Sequence, residues 1–362
     1  MKSGRSLQSL AAELDRQNEA KRDFVLDTRA CQVFASKEET PDGVKENGIT
    51  MGMNRIEGLF PVNRIANTQI GSRLEIPKKY YDKMMSNSTD LLVHNINHWL
   101  QNTPEKRMIR TLDGDCRAFL SDRYRPLDNY DLANAVLPEM IDHNLDIRSC
   151  EITESKMYIK AISHELEGEV KAGDVVRGGC VVSNSEVGHG ALLVSPFIER
   201  LICTNGMVVT DYGKRRYHVG KKNNEVLDIN DAYEVYSDAT KELTDKAFWH
   251  QVRDVVKATL TQDRFNTILD SFREATQIPM NEDPMTVVEK TQKKFHLSDS
   301  DKGGVLQHLL EDKDYTKWGL ANAVTRTAED ISDYDRATEL ETLGWNVVQM
   351  PKRDWLAIGG AA

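Results

Sequence analysis

The chain has 362 residues, 40% of them hydrophobic and 29% charged, the make-up of a globular protein with a substantial core; disordered and fibrous classes are excluded. A formal net charge of -10 excludes a surface that holds nucleic acid over its whole extent, because phosphate contacts come from lysine and arginine. A local basic site stays open, as does an acidic surface that mimics DNA.

No apolar run reaches the roughly 18 to 20 residues of a membrane span. Lys2, Arg5, Glu13, Asp15 and Arg16 interrupt any signal-peptide core, so a cytoplasmic location is expected. Cys31, Cys116, Cys150, Cys180 and Cys203 are too scattered for a disulfide framework or a C-x-x-C zinc site, and read as buried thiols of a reducing compartment.

Residues 1–23 form the first unit. Leu7, Leu10, Ala11 and Leu14 recur at helical spacing behind Ser3 and Ser6, which predicts a short capped amphipathic helix. Its apolar stripe is expected to pack on a neighbour rather than on its own core. Together with the helical tail, it makes a homo-oligomer the expected state.

Residues 24–227 form a β-rich, largely antiparallel second unit, with short apolar runs broken by turn residues. In "IPKKYYDKM", Lys78, Lys79 and Lys83 alternate with Tyr80 and Tyr81. That mixture fits a single-strand platform and equally the exposed face of a helix after Pro77. His94 and His98 share a face in either strand or helix, but no third or fourth metal ligand stands nearby, so half-buried neutral histidines are expected.

"RMIRTLDGDCRAFLS" is the clearest hairpin, with Asp113-Gly114 supplying the positive φ of a tight turn. "RAFLSDRYRPL" beside it adds a second basic run, Arg117, Arg123, Tyr124 and Arg125. Then "PLDNYDLANAVLPEMID" sets Asp128 and Asp131 at cap spacing ahead of Leu132, Val136, Leu137 and Met140, which predicts one helix inside the sheet half. The string Asp113, Asp115, Asp122, Asp128 and Asp131 has the donors for magnesium, although turn and cap roles explain three of them.

"SCEITESKMYIKAIS" predicts a second hairpin turning at Glu154-Ser155. A third sheet region runs from "DVVRGGCVVSN" through the loop "SEVGHG" to "ALLVSPFIERLICTNGMVV". That loop offers Ser183, Ser185, Glu186 and His189, yet no G-x-S-x-G elbow, P-loop or G-x-G-x-x-G accompanies it. No catalytic residue, metal or organic cofactor is therefore expected.

"TNGMVVTDYGKRRYHVGKK" is the strongest basic run: Lys214, Arg215, Arg216, Lys221 and Lys222 stand with Tyr217, and no acid falls between Asp211 and Glu225. Such a run serves a single-stranded DNA groove, cations on phosphates and tyrosine on a base, with Arg123, Arg125, Lys78 and Lys79 as further contacts. It is also the make-up of a solvated hairpin tip.

After Leu227 the apolar period changes to 3.6 and a helical third unit, residues 228–362, follows. Ala232, Val235, Tyr236, Ala239, Leu243, Ala247, Val252 and Val255 fall on helical faces. Further helices are expected over 264–276, 284–295, 302–310, 316–330 and 333–343, with "TQIPMNEDP" as the break. The expected class is α+β.

The motif order "FLSDRYRPLDNYDLANAV", "VVSNSEVGHGALLVSPFIERLICTNGMVV" and "WGLANAVTRTAEDISDYDRATELETLGW" resembles a domain-of-unknown-function family, number 932. Thr204-Asn205-Gly206-Met207 after an arginine and a cysteine is its most specific part. The chain departs from the commoner family loop, in which asparagine, serine and histidine precede aspartate and glycine; here Asn184-Ser185-Glu186-Val187-Gly188-His189 stands. The resemblance implies a mobile-element protein of phages, prophages or plasmids that serves phage or plasmid DNA metabolism; a bacterial host cell is the expected setting, and a phage exonuclease or single-strand-binding protein is a further expected partner.

The expected function is nonenzymatic single-stranded DNA binding in recombination or replication, like that of annealing proteins. An acidic protein that blocks host restriction or defence by occupying a DNA-binding site is the alternative, and an enzyme whose residues are not recognisable is the third.

Overall fold

Sheets dominate the chain as far as Val208 and helices the described residues from Asp238 on, so the protein is α+β, with a β-rich first part and a helical last part. The structure is a computed structural model that describes residues 1–39, 45–210 and 238–360. The first part runs α1 (Leu7–Ala20), β1 (Arg22–Asp27), β2 (Cys31–Glu39), β3 (Lys45–Met53), β4 (Ile56–Pro61), α2 (Arg64–Arg73), α3 (Lys78–Asn87), α4 (Thr89–Asn102), β5 (Lys106–Leu112), β6 (Asp115–Ser121) and α5 (Asn129–Asp142). It continues with β7 (Leu145–Ile152), β8 (Met157–Lys171), β9 (Asp174–Asn184), β10 (Leu193–Arg200) and β11 (Gly206–Val208). The helical part holds α6 (Asp238–Thr259), α7 (Gln262–Thr276), α8 (Pro284–Phe295), α9 (Asp299–Asp312), α10 (Lys317–Asp330), α11 (Tyr334–Val348) and α12 (Lys352–Gly359).

The central sheet is an antiparallel meander in the order β11-β10-β9-β8-β7. Strand side chains alternate between faces, so Met157, Ile159 and Ala161 of β8 join Cys180 and Val182 of β9 on one side. There they meet Leu10 and Leu14 of α1, Leu132 and Val136 of α5, and Phe248, Val252 and Val256 of α6. The register shifts between Ile162 and Glu167; Leu166 within the shift and Val170 beyond it pack with Phe265, Leu269 and Phe272 of α7 and Trp318 of α10. The sheet is thus covered by helices on both faces.

One charged residue faces the helical part from the middle of this sheet. Lys160 of β8 is wholly buried, with Nζ 2.5 Å from Glu341 Oε2 of α11 and 3.2 Å from Thr338 Oγ1. The Tyr334 ring centroid lies 4.5 Å from the ammonium, and Glu341 is itself fully buried.

Two three-stranded sheets, β1-β5-β6 and β2-β3-β4, make the other layer. With α2, α3 and α4 they enclose Val33, Ile49, Met51, Ile70, Leu92, Ile96 and Phe119. The β5–β6 hairpin turns at Asp113 and Gly114 with φ of 55° and 90°, as the tight-turn pair predicts. The hairpin between β7 and β8 also turns where expected.

Two expectations change. The sheet half contains α2, α3 and α4 in addition to α5, where one helix was expected. Their polar faces are broad, and the buried Leu92, Ile96 and Leu100 at four-residue spacing were the available signal. The stripe of α1 does not wait for a neighbour: Leu10 is fully buried and Leu14 nearly so, both against the chain's own β7 and α5. The helices expected from 264 to 343 are present with ends moved by a few residues, and α12 follows unforeseen.

Candidate functional site

The basic residues singled out in the sequence fall in three places. Lys214, Arg215, Arg216, Tyr217, Lys221 and Lys222 lie outside the described residues. Lys78 and Lys79 form the exposed first turn of α3, where Lys78 pairs with Asp82 one helical turn on at 3.1 Å. Tyr80 is exposed, whereas Tyr81 turns inward and donates its hydroxyl to Asn67 Oδ1 at 2.7 Å. The run forms the exposed face of a helix. Arg123 is exposed after β6, and Arg125 places its guanidinium carbon 5.0 Å from the Phe248 ring centroid of α6. Lys78 and Lys79 therefore belong to the α2–α4 layer and Arg125 to the central one.

His94 and His98 sit on the outer face of α4, exposed rather than half-buried, because the core side of that helix is taken by Leu92, Ile96 and Leu100. Among the described residues no group of three or more His, Cys, Asp or Glu is arranged to hold a metal ion. Asp113 pairs with Arg16 at 2.6 Å, and Asp122 accepts from Ser121 Oγ at 3.2 Å.

The Asn184–Gly190 loop is where polar side chains converge, and its buried residues build the site. Ser185 Oγ donates to the Ser155 carbonyl at 2.7 Å and accepts from the His189 amide at 2.9 Å, which fixes the β7–β8 turn to the loop. Asn184 Nδ2 donates to the Leu127 carbonyl and to Asn129 Oδ1 at 2.7 and 2.9 Å. Tyr124 donates to the Ser185 carbonyl at 2.9 Å, and Gln69 of α2 to the Val187 carbonyl at 2.7 Å. Ser185 is thus a spacer between backbones, not a poised nucleophile.

Glu186 caps α5 from outside the helix. Asp128 occupies the N-cap position, but its side chain makes no capping bond. Its carboxylate goes instead to Arg110, at 2.7 Å, and to Lys21. Glu186 Oε1 takes the vacant duty by accepting from the Asn129 amide at 2.5 Å, while Oε2 lies 2.8 Å from Arg117 Nη1. Arg110 is completely buried and also forks onto Asp23, with Nε and Nη2 at 2.8 and 2.9 Å, and donates Nη1 to the Glu186 carbonyl at 3.0 Å.

Burial works to raise the Asp128 pKa, but Arg110 and Lys21 outweigh it and hold the carboxyl below its ordinary value. Burial, then the nearby Asp113, raises Asp115. Burial, then Lys156 and Arg64, lowers the imidazole of His189.

Between this loop, the β5–β6 tip and the β7–β8 turn lies a cleft of about 280 Å³, lined by residues including Asp115, Arg117, Glu154, Ser155, Lys156 and Glu186. The sequence pointed to Glu186 and Ser185 but not to the Arg117–Glu186 and Arg110–Asp128 pairs. Arginines inside apolar strands, in "MIRTL" and "CRAFL", were the available signal, since an arginine in a buried strand needs an acid.

A protein-family model described as Domain of unknown function (DUF932) matches residues 118–340, more than half of the chain and including the whole loop. No curated protein and no solved structure matches.

Proposed function

The chain belongs to the DUF932 family, and on that footing we propose that it binds single-stranded DNA and serves recombination or replication of a phage or plasmid, in the manner of an annealing protein. The observation that carries this reading is the acid-free run of Lys214, Arg215, Arg216, Lys221 and Lys222 in a chain of net charge -10. Like charges so close in sequence repel one another unless an anion neutralises them. Several arginines among the described residues already meet carboxylates of the chain itself: Arg110, Arg117, Arg200 and Arg336. The run has no acid beside it in sequence, and Tyr217 within it supplies a ring for a base.

The test is a fluorescence-anisotropy titration with a single-stranded oligonucleotide at several salt concentrations. With three to five phosphate contacts, each releasing about 0.7 counterion, affinity falls by about two to three and a half decades per tenfold rise in salt. Arg215→Ala with Arg216→Ala flattens that slope by about 1.4, and leaves thermal stability nearly unchanged. Tyr217→Ala costs roughly 1 to 3 kcal/mol of binding with the slope intact. Wild-type affinity and slope in the double variant would leave the run as a solvated hairpin tip and remove this function. Light scattering with and without the oligonucleotide tests the expected homo-oligomer, and a monomer near 41.0 kDa in both removes it.

A further inference from the structure

His94 and His98 stand one turn apart on the solvent side of α4, and both are exposed. Helix residues four apart have Cβ atoms about 5–6 Å from each other, so two imidazoles at this spacing reach one ion. The two histidines of an H-E-x-x-H helix hold zinc in that way, and His94-Asn95-Ile96-Asn97-His98 has the same spacing. Neither ring is committed elsewhere. His94 makes no hydrogen bond or ion pair among the described residues, and His98 Nδ1 meets Asn102 Nδ2 at 3.4 Å, which leaves Nε2 for another partner.

The helix that carries them is firmly held. Leu92, Ile96 and Leu100 are buried beneath it, and Asn97 clamps the edge of β2, accepting from the Val33 amide at 2.8 Å and donating to the Val33 carbonyl at 2.9 Å. Two ligands on a fixed helix have little freedom to lose when an ion arrives.

Two imidazoles are half of a structural zinc site, which takes four ligands in a tetrahedron. Among the described residues no third His, Cys, Asp or Glu completes a group with them. The surroundings point to a second copy of the chain as the source of the other two. From Leu91 to Asn102 there is no Lys, Arg, Asp or Glu, in a protein of which 29% of residues are charged. Leu91 and Trp99, on either side of the histidines, are 43% and 40% exposed, and the Trp99 ring lies edge-on to His98 at 5.0 Å. Two chains of net charge -10 repel each other, least where this uncharged face meets its own copy, and a dication between them offsets the repulsion.

We propose that His94 and His98 are half of a zinc site that two copies of the chain complete across a two-fold axis, with Leu91 and Trp99 packing around the ion. The proposal rests on α4 alone, apart from the single-stranded DNA reading. Light scattering of the full chain, first in chelator and then with zinc chloride, tests it. Zinc is expected to double the mass from the 41.0 kDa of one chain, with one ion per two chains by elemental analysis, and chelator to reverse the change. Cobalt(II) in place of zinc is expected to give the intense visible absorption of a tetrahedral site rather than the weak bands of a hydrated octahedral ion.

His94→Ala with His98→Ala is expected to abolish both the doubling and the cobalt absorption, while thermal unfolding in chelator stays where it was, because both positions are exposed. A mass that zinc leaves unchanged, one ion per chain without dimerisation, or a double variant that responds to zinc as the wild type does, overturns the proposal.

Discussion

Replacing Glu341 by leucine costs the fold about 3–5 kcal/mol, and adding Lys160→Met to that variant recovers most or all of the loss. Both charged residues are wholly buried, and their 2.5 Å contact joins the central sheet to α11. Removing the carboxylate alone strands an ammonium that keeps only Thr338 Oγ1 and the faces of Tyr334 and Phe197. Removing both charges ends the desolvation penalty instead. The native pair is under-satisfied, since Glu341 Oε1 has no donor among the described residues, so an apolar pair of similar volume competes well with it. Denaturant unfolding of the wild type, both single variants and the double variant closes the cycle. A Glu341→Leu variant within about 1 kcal/mol of wild type would show that the pair carries no such penalty.

Arg110→Met is the second large effect, again about 3–5 kcal/mol of lost stability. The side chain is fully buried and binds Asp23 through Nε and Nη2, Asp128 through the same Nη2 and the Glu186 carbonyl through Nη1. Without it Asp128 keeps Lys21, and the Glu186 carbonyl at the root of the loop loses this donor.

The pH dependence follows from the direction of the Asp128 shift. Its carboxyl is held below the ordinary value in the folded state, so its contribution is fully present above the unfolded pKa, near 4, and is lost as pH falls through the folded pKa. In Arg110→Met the burial that works to raise Asp128 is opposed by Lys21 alone. The variant's stability therefore falls less steeply on acidification from about pH 5 to 3 than that of the wild type. Parallel acid limbs in the two proteins would show that Arg110 does not set the ionisation of Asp128.

The hairpins were legible because their signals are local. Asp113-Gly114 declares a turn whatever it packs against, and the apolar alternation of "MYIKAIS" and "CVVSN" declares strands. The late helices were legible from their 3.6-residue apolar period, and the structure adds their caps, Asp283 before Pro284, Ser298 before Asp299 and Asp333 before Tyr334. Helices α2 to α4 were harder to find, because their narrow buried stripes sit among polar residues and only packing on β2 and β6 selects the helical form.

The site divides along the same line. Sequence alone determined the α+β class, the β5–β6 and β7–β8 turns, the change of period that opens the helical part, and the family resemblance that the match over residues 118–340 bears out. Each rests on neighbours in the chain or on an ordered set of motifs. Only the tertiary structure decided that Glu186 rather than Asp128 caps α5, that Ser185 ties two backbones together, that Arg117 pairs with Glu186, and that Lys160 finds Glu341 across 181 residues. Charge pairing depends on which side chains share a low-dielectric space, and that is fixed by how the sheets and helices stack rather than by any local spacing.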